Sequence, residues 1–79
     1  MTDLVKEIFG STLRNQRRKI NCTQNEIALR CDMSLRFYQD LEAGNKLASI
    51  ATLFRLAKAM ETTPNDLLTP AYREWKKTG

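Results

Sequence analysis

Residues 23–44 read TQNEIALRCDMSLRFYQDLEAG, and this stretch decides the fold. It opens on a capping box, in which the hydroxyl of Thr23 accepts from the third helical N–H and Glu26 reaches back to the backbone of Thr23. Ser34 is a second N-cap residue, and Gly44 is suited to end the helix that Ser34 begins. The stretch therefore predicts two short helices that meet across a tight turn.

We expect these helices at about 23–31 and about 34–43. Each has only one to three turns and is too short to be stable alone, so both must pack on each other and on further helices. The residues expected to face inward are Ile27, Ala28, Cys31, Met33, Tyr38 and Leu41. The residues expected to face outward on the second of these helices are Leu35, Arg36, Gln39, Asp40 and Ala43.

One longer helix is predicted before this stretch, over about 3–19, with Thr2 or Asp3 as its cap. Its residues at helical spacing are Val5, Ile8, Phe9, Thr12, Leu13 and Gln16. Cations are favourable near a helix C-terminus because of the helix dipole. The last turns of this helix carry four of them: Arg14, Arg17, Arg18 and Lys19.

Two or three helices are predicted after the stretch. Ser49 caps a fourth helix whose apolar residues recur at i, i+3, i+4, i+7 and i+10, a pattern that predicts one inward face. These residues are Ile50, Leu53, Phe54, Ala57 and Met60. Thr63 followed by Pro64 begins a fifth helix. The same signal at residues 69–70 allows a separate, short sixth helix over 71–77.

The expected fold is all-α, with five helices, a helix-turn-helix and the optional sixth helix. No segment alternates with the period of two that a half-buried strand requires. A chain of 79 residues has room for one hydrophobic core. We therefore expect one domain over 1–79, with a core at about 5–68 and a C-terminal tail at 69–79.

Composition excludes several classes of function. The chain has no His and two Cys, so neither a four-ligand zinc site nor a His-activated nucleophile is expected. We expect no enzymatic activity, no cofactor and no metal. Cys22 and Cys31 are interpreted as small core residues in a reducing cytoplasm, with oxidation or metal binding as the alternatives. No apolar run is long enough to span a membrane.

The charge of the chain favours an anionic partner. Thirteen Lys and Arg against nine Asp and Glu give a net charge of +4, which suits nucleic acid or an acidic surface. The outward face of the 34–43 helix carries Arg36 and Gln39, whose side chains can each make two hydrogen bonds to a base edge. The N–H groups near Ser34 suit a phosphate. A short exposed helix with this face fits the major groove of double-stranded DNA.

The sequence resembles the lambda-repressor-like helix-turn-helix family, also called the Cro/repressor or xenobiotic-response-element family. The resemblance covers about residues 5–68. Within the family, the chain is similar to small phage repressors and restriction–modification controller proteins. It rests on T-Q-x-E-I-A-x-x-C-D-M-S-x-x-x-Y-x-x-L-E-x-G at 23–44, F-G-x-x-L-R-x-x-R at 9–17, S-I-x-T-L-x-x-L-A-x-A-M at 49–60 and P-N-D-L-L at 64–68. Two residues depart from the family pattern: Asp32, where glycine is usual, and Tyr38, where a smaller aliphatic residue is common.

The resemblance implies a sequence-specific DNA-binding transcriptional regulator that acts as a homodimer on an operator. The base-reading or groove-facing residues it implies are Leu35, Arg36, Gln39 and Asp40. The phosphate-binding residues expected around them are Thr23, Gln24, Ser34, Asn45 and Lys46. It also implies a partly buried ion pair between Arg17 and Glu42, which joins the first and third helices.

Each of these assignments has an alternative. Arg36 and Gln39 can be ordinary solvated residues, and Asp40 can form a local ion pair, because phosphates repel an acid that does not accept from a cytosine amino group. Leu35 can contact a thymine methyl group or cover the stem of Arg36. Phe37 is expected to pack and not to read a base.

The dimer interface is expected at the fifth helix and the tail. Apolar residues there exceed what one short helix can bury inward: Leu67, Leu68, Tyr72 and Trp75. Tyr72 and Trp75 could instead stack on nucleotides, although packing on the domain or on a partner subunit is the favoured interpretation. The alternative function is that of a protein-interaction module or an antitoxin-like subunit on the same fold, because a fold does not determine a function.

Overall fold

The computed structural model describes residues 3–78, and five helices make up most of that range. They are α1 (Leu4–Lys19), α2 (Gln24–Arg30), α3 (Leu35–Glu42), α4 (Ile50–Ala59) and α5 (Pro64–Thr78). No strand occurs between residues 3 and 78, and the all-α class is confirmed. Within the same range, no helix has both the length and the apolar character needed to cross a bilayer.

Every helix begins at a capping side chain. The carboxylate of Asp3 accepts from the backbone N–H groups of Val5 and Lys6, at 3.1 and 3.3 Å; the alternative cap, Thr2, lies outside the described residues. Hydroxyl oxygens cap the other four helices, each accepting at 3.1 Å from the N–H three residues on. These caps are Thr23, Ser34, Ser49 and Thr63. Local sequence signals therefore set where the helices begin.

Helices α1 to α4 all end with the same backbone motif. The residue after each C-cap has a left-handed conformation: Asn21 (φ 59°), Asp32 (φ 53°), Gly44 (φ 80°) and Glu61 (φ 57°). At the end of α2, the N–H of Asp32 donates to the carbonyl of Leu29 (3.1 Å), and the N–H of Met33 donates to the carbonyl of Ala28 (3.0 Å). This pair of bonds defines a Schellman motif. In the turn between α2 and α3, Asp32 thus adopts the left-handed conformation that glycine usually adopts in a Schellman motif.

The core is formed by all five helices. Its largest fully buried side chains are Phe9, Leu13, Ile27, Tyr38, Leu41, Leu56, Met60 and Leu67. Helix α1 crosses the C-terminal end of α3 at Gly10, where an added Cβ would lie 2.7 Å from the carbonyl oxygen of Leu41. Glycine is required at this crossing, and the close approach packs the middle of α1 against the C-terminal end of α3.

The predicted inward face of α4 is wrong at two positions. Ile50 is 71% exposed and Phe54 is 56% exposed, whereas Leu53 and Met60 are buried as predicted. Leu56, which the predicted face omitted, is completely buried. The helix is apolar around most of its circumference at these positions, so its periodicity could not identify which part the neighbouring helices cover.

The optional sixth helix does not exist as a separate element. Helix α5 runs from Pro64 through Pro70 to Thr78. Proline removes one backbone donor, and packing on both sides of Pro70 compensates, because Leu67 and Ala71 are both buried in the core. Helix α5 therefore continues without a break from the predicted core, which ended near residue 68, into the predicted tail.

Candidate nucleic-acid interface

Helix α3 has one buried face and one exposed face. Tyr38, Leu41 and Glu42 have at most 3% of their surface exposed. On the other side, the Arg36 side chain is 85% exposed and Gln39 is also exposed. The three residues that anchor the helix are therefore separate from those that face solvent.

The buried carboxylate of Glu42 joins three helices. Arg17 on α1 donates to it through two guanidinium nitrogens, Nε to Oε2 at 2.6 Å and Nη2 to Oε1 at 3.1 Å. Nη1 of the same guanidinium donates to the carbonyl of Cys22 at 3.0 Å. Gln24 on α2 donates to Oε1 at 3.0 Å, and Nε of Arg14 lies 3.6 Å from the same oxygen. Glu42 thus fixes α3 to both α1 and α2.

Tyr38, the second departure from the family pattern, completes this network. Its ring is fully buried and its hydroxyl donates to Oε2 of Glu42, four residues along the same helix. A buried tyrosine hydroxyl needs such a partner. The larger side chain is therefore accommodated because the ion pair supplies an acceptor for it.

The protonation states follow from these contacts. Burial alone raises the pKa of Glu42, but hydrogen bonds from Arg17, Tyr38 and Gln24 and the charge of Arg17 outweigh it, so the pKa lies below its ordinary value. The hydrogen bond to Glu42 raises the pKa of Arg17. Burial, followed by the bond to Glu42, raises the pKa of Tyr38. The network consequently contains an ionised carboxylate that only accepts.

A second hydrogen bond links this network to the exposed face. Gln24, expected to bind a phosphate, is half-buried and uses its amide within the protein. Its Nε2 donates to Glu42, and its Oε1 accepts from Nε2 of Gln39 at 3.2 Å. The structure thus places Gln24 and Gln39 side by side, a contact that no sequence signal indicated.

Asp40 lies between two cations. Its side chain is 17% exposed, with Nε of Arg36 at 3.6 Å and Nζ of Lys46 at 3.7 Å. Nζ of Lys46 also lies 5.4 Å from the centre of the Phe37 ring. Asp40 is therefore in the local ion pair that the sequence left as the alternative to base reading, and it holds Arg36 and Lys46 near each other.

The other expected phosphate contacts lie at helix starts and in the loop after α3. The hydroxyl oxygens of Thr23 and Ser34 accept from their own helices, which leaves each hydroxyl proton available to a phosphate. Asn45 is exposed, as is the side chain of Lys46. Leu35 is 38% exposed at the first position of α3.

An apolar groove lies between α1, the α3–α4 loop, α4 and α5. It is lined by Val5, Phe9, Leu47, Ala48, Ile50, Leu53, Leu68, Ala71, Tyr72 and Trp75. Tyr72 and Trp75 stack on each other with ring centres 6.0 Å apart. Leu67, expected in an interface, is 1% exposed and belongs to the core. The groove instead includes Leu47 and Ile50, which no sequence signal assigned to an interface.

Cys22 and Cys31 do not form a disulfide. Cys22 and Cys31 are free and buried, and burial raises the pKa of the Cys31 thiol. A thiol with a raised pKa is a poor nucleophile. Both residues fill space in the core.

Comparison with known sequences identifies related regulators. Over 69 residues the chain is 32% identical to control protein C.BamHI of Bacillus amyloliquefaciens, covering 86% of this chain and 85% of that protein. It is 30% identical over 66 residues to the helix-turn-helix-type transcriptional regulator y4dJ of Sinorhizobium fredii, covering 84% and 86%.

Solved structures share the fold. The clp gene regulator ClgR of Corynebacterium glutamicum superposes with a TM-score of 0.82 at 28% identity, over 91% of this chain and 94% of that chain. The restriction-modification controller protein C.AhdI of Aeromonas hydrophila superposes with a TM-score of 0.80 at 23% identity, over 82% and 98%. The family model described as helix-turn-helix matches residues 13–67, which include the whole of α2, the turn and α3. The chain belongs to the helix-turn-helix family.

Proposed function

We propose that the protein is a sequence-specific regulator of transcription that binds double-stranded DNA with α3 in the major groove. The observation that carries this proposal is the division of α3 into two faces. Tyr38, Leu41 and Glu42 hold the helix from inside, while Arg36 and Gln39 face solvent where a base edge can reach them. The regulators among its relatives support this assignment.

Phosphate contacts would surround this helix. Two capped helix N-termini, at Thr23 and Ser34, offer N–H groups and hydroxyl protons. Lys46 supplies a cation from the loop after α3. Such contacts position a protein on DNA, whereas Arg36 can meet both O6 and N7 of guanine and so distinguish one base from another.

Two substitutions distinguish a residue that recognises a base from a residue that contacts only the phosphate backbone. After selection of preferred duplexes from a random pool, we expect Arg36→Ala to weaken the selected duplex much more than random DNA, by about 1–3 kcal/mol of lost discrimination. We expect Lys46→Ala to weaken both alike and to lower the salt slope by about one charge. Affinity measured over a series of salt concentrations reports both effects.

The charge-matched control is Lys58→Ala. Lys58 is exposed and lies with Arg30 and Arg55 on another part of the surface, so its loss should leave the affinity for both duplexes and the salt slope nearly unchanged. Equal weakening of both duplexes by Arg36→Ala would make Arg36 a phosphate contact and Gln39 the first candidate reader. A wild-type protein that binds no duplex even at low salt would favour the interaction-module alternative.

We also propose that the protein acts as a homodimer in the cytoplasm, with the apolar groove as its interface. The exposed fractions of Leu47, Ile50, Tyr72 and Trp75 range from 55% to 71%, and a second copy of the same surface would cover them. A two-fold dimer that holds its two α3 helices about 34 Å apart would present them to successive turns of the DNA major groove. The two free, buried thiols are consistent with a reducing compartment.

Sedimentation equilibrium tests the interface. We expect Ile50→Lys to shift the protein towards monomer, because it places a charge in the proposed contact, while the Tm of the monomer changes little. Leu29→Lys is the matched control, since Leu29 is 72% exposed and does not line the groove. Equal dissociation by both variants, or a wild-type protein that is monomeric at high micromolar concentration, would contradict the proposal.

A further inference from the structure

The ionised carboxylate of Glu42 determines which way the Gln24 amide points. An ionised carboxylate accepts hydrogen bonds and cannot donate one. The Gln24 atom 3.0 Å from Oε1 must therefore be the nitrogen, Nε2. The oxygen and nitrogen of a side-chain amide are otherwise interchangeable in position. Here the buried charge leaves one orientation.

The orientation of Gln24 then determines that of Gln39. With Nε2 directed at Glu42, the Oε1 atom of Gln24 faces Gln39 and can only accept. Its partner, 3.2 Å away, must be Nε2 of Gln39. The two bonds form a chain from the buried carboxylate to the exposed face of α3, which we call the amide chain (Glu42, Gln24 and Gln39).

The exposed end of the amide chain has a defined polarity. The Gln39 side chain makes one hydrogen bond within residues 3–78, through Nε2. One N–H and the carbonyl Oε1 remain for an external partner. Adenine offers an acceptor at N7 beside a donor at N6, which matches this pair, whereas guanine offers two acceptors and would face Oε1 with O6.

We propose that Gln24 is a positioning residue that orients the Gln39 amide through the amide chain and so makes Gln39 a reader of adenine. This inference rests on the proposed DNA-binding function. It assigns to Gln24 a role beyond the phosphate contact expected from the family resemblance. It also gives the buried Glu42 a part in base choice.

The first test uses the protein without DNA. Gln24→Met keeps the length of the side chain and removes both hydrogen bonds, so the side-chain amide resonances of Gln39 should move to the values of a solvent-exposed glutamine. Gln16→Met is the matched control, because the Gln16 amide donates to the carbonyl of Met60 at 2.9 Å, away from the chain. Gln24→Leu serves as a second variant should methionine prevent folding. Gln39 resonances that are unchanged in the folded variant would overturn the proposal.

The second test measures base preference. The position read by Gln39 is the one at which Gln39→Ala abolishes preference, and binding to duplexes with each of the four bases there gives the preference for adenine. We expect Gln24→Met to reduce that preference about tenfold. In the Gln39→Ala background, the same substitution should leave the preferences unchanged.

The outcomes separate this inference from the proposed function. If Gln24→Met weakens all four duplexes equally, Gln24 is only a phosphate contact and the amide chain does not act in reading. A preference for a base other than adenine at the Gln39 position would also refute the inference while leaving DNA binding intact. A wild-type protein that binds no duplex would refute the proposed function, and the reading of adenine with it.

Discussion

Replacing Glu42 with alanine removes the acceptor that all the buried donors around it share. The guanidinium of Arg17, whose side chain is 13% exposed, would keep only the carbonyl of Cys22. The hydroxyl of Tyr38 and the amide of Gln24 would lose their partner as well. The variant therefore leaves a largely buried cation without its counter-ion, and it leaves the buried Tyr38 hydroxyl and the half-buried Gln24 amide without their acceptor.

The expected loss is large relative to the stability of the fold. Breaking a buried ion pair from one side costs about 3–5 kcal/mol. A domain of this length has a total stability of about 4–12 kcal/mol, at roughly 0.05–0.15 kcal/mol per residue. Since 1 kcal/mol shifts the Tm of such a domain by about 4–8 °C, we expect Glu42→Ala to lower it by roughly 12–40 °C.

Thermal unfolding followed by circular dichroism measures this loss, with Glu61→Ala as the control. The Glu61 side chain is 70% exposed and lies 3.8 Å from Nη1 of Arg30. An exposed pair of this kind is worth under about 1 kcal/mol. Glu61 is replaced in its left-handed conformation by another residue with a Cβ, so the backbone contribution changes little. A loss for Glu42→Ala no greater than that for Glu61→Ala would refute the reasoning.

Four further effects can be measured by thermal or urea unfolding. The pKa of Glu42 is lowered in the folded state. The contribution of its carboxylate to the free energy of unfolding is therefore complete above the unfolded pKa of about 4.3 and is lost as the pH falls through the folded pKa. Glu42→Gln should lack this part of the acid dependence. Tyr38→Phe should cost about 1–3 kcal/mol, because Glu42 loses a buried donor; an unchanged Tm would argue against that bond. Asp32→Gly should raise stability by about 0.5 kcal/mol, since glycine adopts a positive φ without strain but loses more entropy on folding; a lower urea midpoint would contradict this. Pro70→Ala should raise stability by about 1–3 kcal/mol by restoring a helical hydrogen bond, and a decrease would show that the ring itself packs favourably.

The helices could be predicted from the sequence because short-range chemistry determines their ends. Ser34, Ser49 and Thr63 cap the helices at the positions where the sequence placed them. Capping depends on residues within one turn, so no knowledge of the tertiary packing is needed. The all-α class with five helices followed directly from these signals.

The sequence could not predict which residues of α4 are buried or that α5 continues through Pro70, because both depend on neighbouring helices. Ile50 and Leu56 are both apolar, and only the position of α5 and α2 relative to α4 leaves the first exposed and buries the second. Pro70 is a local signal for a helix end, but packing of Leu67 and Ala71 overrides it.

The candidate site was predictable in part. Family resemblance paired Arg17 with Glu42, and the structure brings them together. It did not indicate that Gln24 would bridge Glu42 and Gln39, because that contact joins side chains fifteen and eighteen residues apart on different helices. The departure at Tyr38 was visible in the sequence, but the sequence could not identify Glu42 as the residue that accepts from the Tyr38 hydroxyl.

The separation of the two faces of α3 bears on how the specificity of this protein can evolve or be redesigned. Leu35 and Arg36 do not contribute to the buried face. Changes at these two positions should therefore combine additively with changes at distant positions, although Arg36 remains coupled to its ion-pair partner Asp40. Gln39 differs, because its substitution leaves the Oε1 atom of Gln24 without its donor. Substitutions at positions 39 and 24 are therefore expected to be non-additive, so a library of variants should randomise these two positions together.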